Sequence, residues 1–246
     1  MHLEHAACVS RWRPVSPAAK GLFALAGLIA AFAAPTPGGA LAVAGLLVAV
    51  AFLAAGIPVP TYLRAAAAPL VFLALSSLSL ALSLGGAEAG GLALAGAPDG
   101  GAQLGQVGSR SLAGLAALLL LVLTTPLPDL IALLRRLKTP ALLLDLMVLG
   151  YRLLSVFSTA VHDTLTAQTA RLGYATRRRA WRSLAGLVAN LAVQVWQRAQ
   201  ALHVAAQARN NDGPLRFMAR TFPHARRDSL LALAAGALLI AIGQLA

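Results

Sequence analysis

The sequence predicts an all-α, polytopic membrane protein with about five transmembrane helices and long cytoplasmic helices. Three observations carry that expectation. Of 246 residues, 59% are hydrophobic and only 11% are charged, with a mean hydropathy of +0.75, whereas soluble domains carry about 25% charged residues. The apolar residues fall in runs near the length of about 20 residues that a helix needs to cross a bilayer. The 20 Lys and Arg outweigh eight Asp and Glu, a formal net charge of +12, and gather in a few loops, as they do in membrane proteins whose charge faces one side. This leucine- and alanine-rich composition excludes a disordered chain. The single cysteine, Cys8, excludes an intrachain disulfide and a four-cysteine metal site. Aromatic residues, at 5%, leave few platforms for stacked bases, and no nucleic-acid partner is expected.

Five spans are read in chain order: residues 17–34, 38–57, 65–84, 112–126 and 229–245. The second and third are free of charge. The first contains Lys20, expected to snorkel from a helix end. The fourth is short, with Arg110 at its outer edge. The polar lead, with His2, Glu4 and His5, and the four spans after the first argue against a cleavable signal peptide. The organisation is therefore a membrane region over 1–126 with four spans, a cytoplasmic region over 127–228, and a last span over 229–246.

The loops set the expected orientation. With the N-terminus inside and five spans, nineteen of the 20 basic residues lie on one side and only Arg110 lies on the other. The outer loop 85–109 holds Glu88, Asp99 and many glycines. That asymmetry is expected to place the N-terminus in the cytoplasm and the C-terminus outside. Segment 141–157, ALLLDLMVLGYRLLSVF, is apolar enough to rival a span. It carries Asp145 and Arg152, seven apart and so near one helix face, and charges in mid-span are costly. It is read as a cytoplasmic or in-plane helix, with a re-entrant placement as the alternative.

The region 127–228 holds 15 basic and five acidic residues. Pro126 and Pro128 close the fourth span. Asp129 suits a helix start, Ile131, Leu133, Leu134 and Leu137 give it an apolar side, and Arg135, Arg136 and Lys138 suit its C-terminal dipole. A second helix begins at Pro140 and is expected to run to about Leu172, with Gly173 ending it. Arg177-Arg178-Arg179 reads as a basic link that can face lipid phosphates. A third helix is expected over 181–209, with Leu184, Leu187, Leu191, Val195 and Leu202 at helical spacing. Asn210-Asn211-Asp212-Gly213-Pro214 stops it. The two long helices thus end at matching features, Ala170-Arg171 and Ala208-Arg209.

At these residues the chain resembles the transmembrane T component of energy-coupling factor ABC transporters, and within it the cobalt-type CbiQ family. The long coupling helices of that family each end in an Ala-Arg-Gly-like motif. Here the first is Ala170-Arg171-Leu172-Gly173, with the glycine one place late, and the second is Ala208-Arg209-Asn210. Ser16-Pro17-Ala18-Ala19-Lys20 resembles the family's Asp-Pro-Arg-x-Lys lead. Thr124-Thr125, Asp129-Leu130, Leu134-Arg135-Arg136-Leu137, Pro140 and Tyr151-Arg152 resemble its coupling region. The resemblance covers nearly the whole chain. It implies two cytoplasmic CbiO-like ATPase subunits, a CbiM-like substrate-binding membrane subunit, with or without a small accessory membrane subunit, and the lipid bilayer as partners. It implies that this chain transmits ATPase motion for cobalt uptake, and that Ala170, Arg171, Ala208 and Arg209 dock the ATPases. Nickel or vitamin transport are the alternatives within the family. Arginine offers a fork that can bind a carboxylate and a backbone oxygen together.

No G-x-x-x-x-G-K-[ST] loop is present, so the chain itself does not encode ATP hydrolysis. Gly85-Gly86 and Gly90-Gly91 read as turns. A lipid-modifying enzyme is the competing reading from another class, but its metal-diphosphate chemistry needs clustered carboxylates. The eight acids are dispersed, with no Asp-x-x-Asp pair. His2-Leu3-Glu4-His5 has the ligand types for a transition metal but is read as a terminal segment. No catalytic residue, metal ligand or cofactor is expected; cobalt would be cargo.

Overall fold

The computed structural model describes residues 10–86, 100–210 and 222–245. All described regular elements are helical. In chain order they are α1 (Pro17–Ala33), α2 (Pro37–Ala49) continued by a π-helical segment (Val50–Ala54), α3 (Val59–Gly86), α4 (Gly100–Thr124), α5 (Leu127–Arg136), α6 (Ala141–Ala170), α7 (Arg177–Ala208) and α8 (Ala225–Leu245). The chain divides into two compact units, residues 1–133 with 219–246, and residues 134–218.

Five helical stretches are long and apolar enough to cross a membrane: Pro37–Ala54, Val59–Ser79, Leu104–Thr124, Ala141–Ala170 and Ala225–Leu245. The protein is an all-α, multi-pass membrane protein. This set differs from the expected one in membership at two places and in bounds at two more, the third span beginning at Val59, so that Arg64 lies within it, and the fourth at Leu104. Helix α1 has 17 residues, at the short end of the spanning range of about 17–25. Helix α6, expected outside the bilayer, meets the same test of length and composition. The fourth span is not short: α4 continues well before Arg110, because Gly, Gln and Ser at 100–109 fold as helix rather than loop.

In the first unit, α1 runs along α8 over much of its length and also touches α4, while α2 packs on α4 and α8. The core joins Phe23, Ala30, Val43, Leu47, Ala116, Leu120, Leu123 and Leu239, all buried. Small residues make the closest crossings. A Cβ on Gly39 would strike the backbone oxygen of Gly243, and one on Gly236 would lie 2.5 Å from the Ala26 Cβ. Lipid is as apolar as leucine, so helices in a membrane gain by such close backbone approach rather than by hydrophobic expulsion. A cavity of about 350 Å³, lined by Trp12, Phe23, Val50 and Ala232 and edged by Lys20 and Asp228, lies between α1, the π segment and α8.

Ser16 caps α1, its hydroxyl accepting from the Ala19 N–H at 3.3 Å, and Pro17 begins the first turn. The Ser16 N–H donates to Asp228 Oδ2 at 3.1 Å, tying the start of α1 to the start of α8. Two cations then tie α1 to α4. Lys20 Nζ donates to the Thr124 carbonyl, at the end of α4, at 2.8 Å. Arg110 Nη2 donates to the Ala34 carbonyl, at the end of α1, at 3.0 Å. Lys20 is 4% exposed, so it does not snorkel to water as expected. Arg110 lies within the Leu104–Thr124 span rather than at its edge. Each helix gives one cation to the other's C-terminal carbonyls, where the macrodipole is negative.

Replacing Lys20 by Met keeps the length of the stem and removes the donor. A buried polar group left unsatisfied costs about 1–3 kcal/mol. Lys20→Met is expected to lower the thermal midpoint of the detergent-solubilised protein by several degrees, read by circular dichroism, whereas Leu53→Met, on an exposed position, leaves it unchanged.

Candidate functional site

The second unit is built on α6, the turn after it and α7. Helix α6 ends at Ala170 and α7 at Ala208. Arg171 and Arg209 are the C-cap residues, with φ/ψ of −92°/15° and −100°/11°. The residue after each arginine is left-handed: Leu172 at φ 56° and Asn210 at φ 49°. The stops share one hydrogen bond, from the N–H of the residue after each arginine to the carbonyl three residues back. The Leu172 N–H reaches the Thr169 carbonyl at 3.0 Å and the Gly173 N–H reaches Gln168 at 2.8 Å, the two bonds of a Schellman termination. At α7 the Asn210 N–H reaches the Gln207 carbonyl at 2.9 Å. Ala170-Arg171 and Ala208-Arg209 therefore occupy the same stereochemical station on two helices. All four residues are exposed.

That geometry explains the departure from Ala-Arg-Gly. A helix that stops in this way needs one left-handed residue after the C-cap, the usual place of glycine. Asn adopts this conformation readily, and Leu172 adopts it at a steric cost of roughly 1–2 kcal/mol. Gly173 is required for space instead. A Cβ there would lie 2.8 Å from the Gln168 carbonyl oxygen and 2.7 Å from Ser183 Oγ. The short helix α5 stops in the same way, with Lys138 left-handed at φ 59° and bonds to Arg135 and Leu134.

The turn between α6 and α7 is tied by side chains that sequence reading passed over. Gln168 Nε2 donates to the Ser183 carbonyl at 2.9 Å, and Tyr174 Oη donates to Gln168 Oε1 at 2.6 Å. Ser183 Oγ donates to the Gly173 carbonyl at 3.0 Å. Thr176 caps α7 by accepting from the Arg179 N–H at 3.4 Å. Arg177, Arg178 and Arg179 are thus the first turn of α7, not a link before it, because the cap lies at Thr176 rather than near Trp181. Elsewhere α6 and α7 touch sparsely. Of the expected apolar stripe, Leu187 is buried and Leu191 half-buried, while Leu184, Val195 and Leu202 are exposed. From Ser183, where the turn touches α7, to Ala208 the helix rises about 38 Å at 1.5 Å per residue, so Arg171 and Arg209 stand tens of ångströms apart.

Among the described residues, no group of three or more His, Cys, Asp or Glu comes together to hold a metal ion. The His2-Leu3-Glu4-His5 segment, Cys8, Glu88, Gly90-Gly91 and Asp99 lie outside the described residues.

The family model for CbiQ, cobalt transport protein, matches residues 9–218. The chain belongs to the CbiQ family. The match takes in α1 to α7, including both helix-end arginines. Cobalt transport protein CbiQ of Rhodobacter capsulatus is 35% identical over 216 residues, covering 88% of this chain and 86% of the relative. The protein of the same name from Salmonella typhimurium is 32% identical, covering 78% and 89%. A putative fused cobalt transport protein, CbiMQ, of Methanocorpusculum labreanum is 30% identical over 86% of this chain and 36% of its own length. The resemblance to CbiQ-type components of energy-coupling factor transporters thus extends over most of this CbiQ-family chain.

The terminations can be tested by backbone chemistry alone. Leu172→Gly relieves the left-handed strain but adds freedom to the unfolded chain, worth about 0.5–1 kcal/mol, so a net gain of up to about 1.5 kcal/mol is expected. Gly173→Ala drives a Cβ into the Gln168 carbonyl and is expected to destabilise the turn. Hydrogen exchange at residues 165–185 should slow in the first variant and quicken in the second.

Proposed function

We propose that this chain is the transmembrane coupling subunit of an energy-coupling factor importer for cobalt. It carries the motion of two cytoplasmic ATPase subunits to a separate CbiM-like substrate-binding membrane subunit. The observation that carries the reading is the pairing of stereochemically equivalent Ala-Arg ends on α6 and α7, exposed and far apart. One groove cannot take both ends at that separation, whereas two copies of one ATPase can each take one. Alanine lets a helix end come close to a partner surface, and arginine supplies a bidentate charge-assisted grip. Family membership and the fused CbiMQ relative support cobalt cargo and a CbiM-like partner. In this reading the chain hydrolyses no ATP and carries no resident metal.

The membrane arrangement belongs to the same proposal. Helices α1 to α4 and α8 cross the inner membrane. Residues 127–228 face the cytoplasm, with the N-terminus inside and the C-terminus outside. Placing α6 across the bilayer instead would draw Asp145 and Arg152 into the bilayer and carry Arg171 to the outer side. In a Cys8→Ser background, Ala189→Cys is expected to resist an impermeant thiol reagent in intact cells and Gly100→Cys to react. Labelling of Ala189→Cys with protection of Gly100→Cys would reverse the orientation.

Arg171→Glu and Arg209→Glu are each expected to release or uncouple the ATPases at normal membrane abundance. Truncating one partner of a buried charged hydrogen bond costs about 2–5 kcal/mol. The double variant should lose uptake almost entirely. Arg178→Glu is the control, since a lipid-facing charge matters less. The measurements are ATPase copurification and cobalt uptake at equal expression. Wild-type values in both motif variants would refute the docking role of these arginines.

A further inference from the structure

We infer that Gln168 is a positioning residue that fixes the angle between the two coupling helices, so that the α6–α7 turn moves as a rigid elbow. The inference rests on the proposed coupling function and names a device within it. Three groups of this one residue are engaged. Its amide nitrogen holds the Ser183 carbonyl on α7 at 2.9 Å. Its amide oxygen takes the Tyr174 hydroxyl from the turn at 2.6 Å. Its backbone carbonyl takes the Gly173 N–H at 2.8 Å, the bond that ends α6. Ser183 closes the ring by donating back to the Gly173 carbonyl at 3.0 Å. Gly173 sits where a Cβ would meet both Gln168 and Ser183, so the turn and α7 are in direct contact.

The rest of the hairpin offers little else to hold the angle. Contacts between α6 and α7 are sparse, and most large apolar side chains of α7 are exposed, Trp181, Val188 and Trp196 among them. Two flexible helices joined by a loose turn would absorb a displacement applied at Arg171. A turn held by side-chain bonds passes it on. Two hydrogen bonds of ordinary net strength bias the turn toward one geometry by a factor of about 30. Gln meets both demands at position 168, accepting from Tyr174 and donating to Ser183 from the same side chain.

The test uses the assembled transporter in proteoliposomes with its copurified ATPases. Gln168→Leu removes both side-chain bonds, and Tyr174→Phe removes one without changing α6. Thr166→Val is the control, because its hydroxyl bonds only within α6, to the His162 carbonyl at 2.9 Å. Both elbow variants should assemble with the ATPases normally, since Arg171 and Arg209 are untouched. Cobalt taken up per ATP hydrolysed should fall about tenfold in Gln168→Leu and less in Tyr174→Phe, in line with two bonds lost against one. The distance between spin labels at Thr164 and Ala189 should broaden in both. Gln168→Glu should narrow again at acidic pH, where a protonated carboxyl regains a donor. Wild-type coupling, an unchanged distance distribution in Gln168→Leu, or lost ATPase copurification there would each overturn the positioning role. The coupling function itself falls on the separate arginine variants, so the two failures are distinguishable.

Discussion

Two helix ends, each closed by a cation from the other helix, hold the membrane unit in register. The last carbonyls of a helix have no partner within it, and lipid offers none. Lys20 on α1 serves the end of α4, and Arg110 on α4 serves the end of α1. The antiparallel pair is thereby pinned at both ends, and sliding by one residue would orphan a carbonyl and bury an unmatched cation together. Gln106 adds a bond to the Pro35 carbonyl at 3.3 Å beside Arg110. With register set, the glycines fall opposite their clefts, and α8 lies close enough to α1 and α2 for Gly236 and Gly243 to be necessary.

The second unit follows a different economy of contacts. The first has a continuous core of alanine, valine and leucine. In the second, Leu144, Val148 and Leu187 are buried, while Leu142, Leu146, Leu154, Trp181 and Trp196 are exposed. Exposed apolar surface on this scale marks an interaction site rather than a finished globule. Helix α7 carries such residues on more than one side. A helix apolar on several faces is normally covered on several faces, as a helix between subunits or at a lipid surface would be.

The legible parts of the sequence were those governed by periodicity and by breakers. Pro17 and Pro126 marked helix boundaries, and Ala170-Arg171 and Ala208-Arg209 fell at the ends of the long helices as the sequence suggested. The misreadings have different causes, one of them a partner far along the chain. Lys20 looked like an edge residue because the Thr124 carbonyl, 104 positions away, does not show in local sequence. Arg110 looked like the rim of a span because the glycines before it disfavour helix in isolation. The three arginines of 177–179 looked like a linker because cations oppose the dipole at a helix start; Thr176 nonetheless caps there. Helix α6 lay on a boundary that composition does not decide, being as apolar as a span while carrying Asp145, Arg152 and Asp163. The elbow was invisible, because Gln168, Tyr174 and Ser183 are ordinary surface residue types until a fold brings them together.

The altered Ala-Arg-Gly motif yields a more general point about reading such signatures. A motif glycine following a helix-ending arginine can meet two separate demands, a left-handed backbone and room for a neighbour. In this chain the demands fall on different residues. Leu172 takes the backbone conformation and Gly173 takes the close contact with α7. At the second helix end Asn210 meets the backbone demand. The letters of the motif change while the placement of the arginine does not. If the arginine's task is to grip a partner from the end of a helix, its station at the C-cap is what must persist. The glycine that accompanies it is free to move to wherever the turn is tightest, so the two departures from the motif weaken the sequence signal more than they weaken the site.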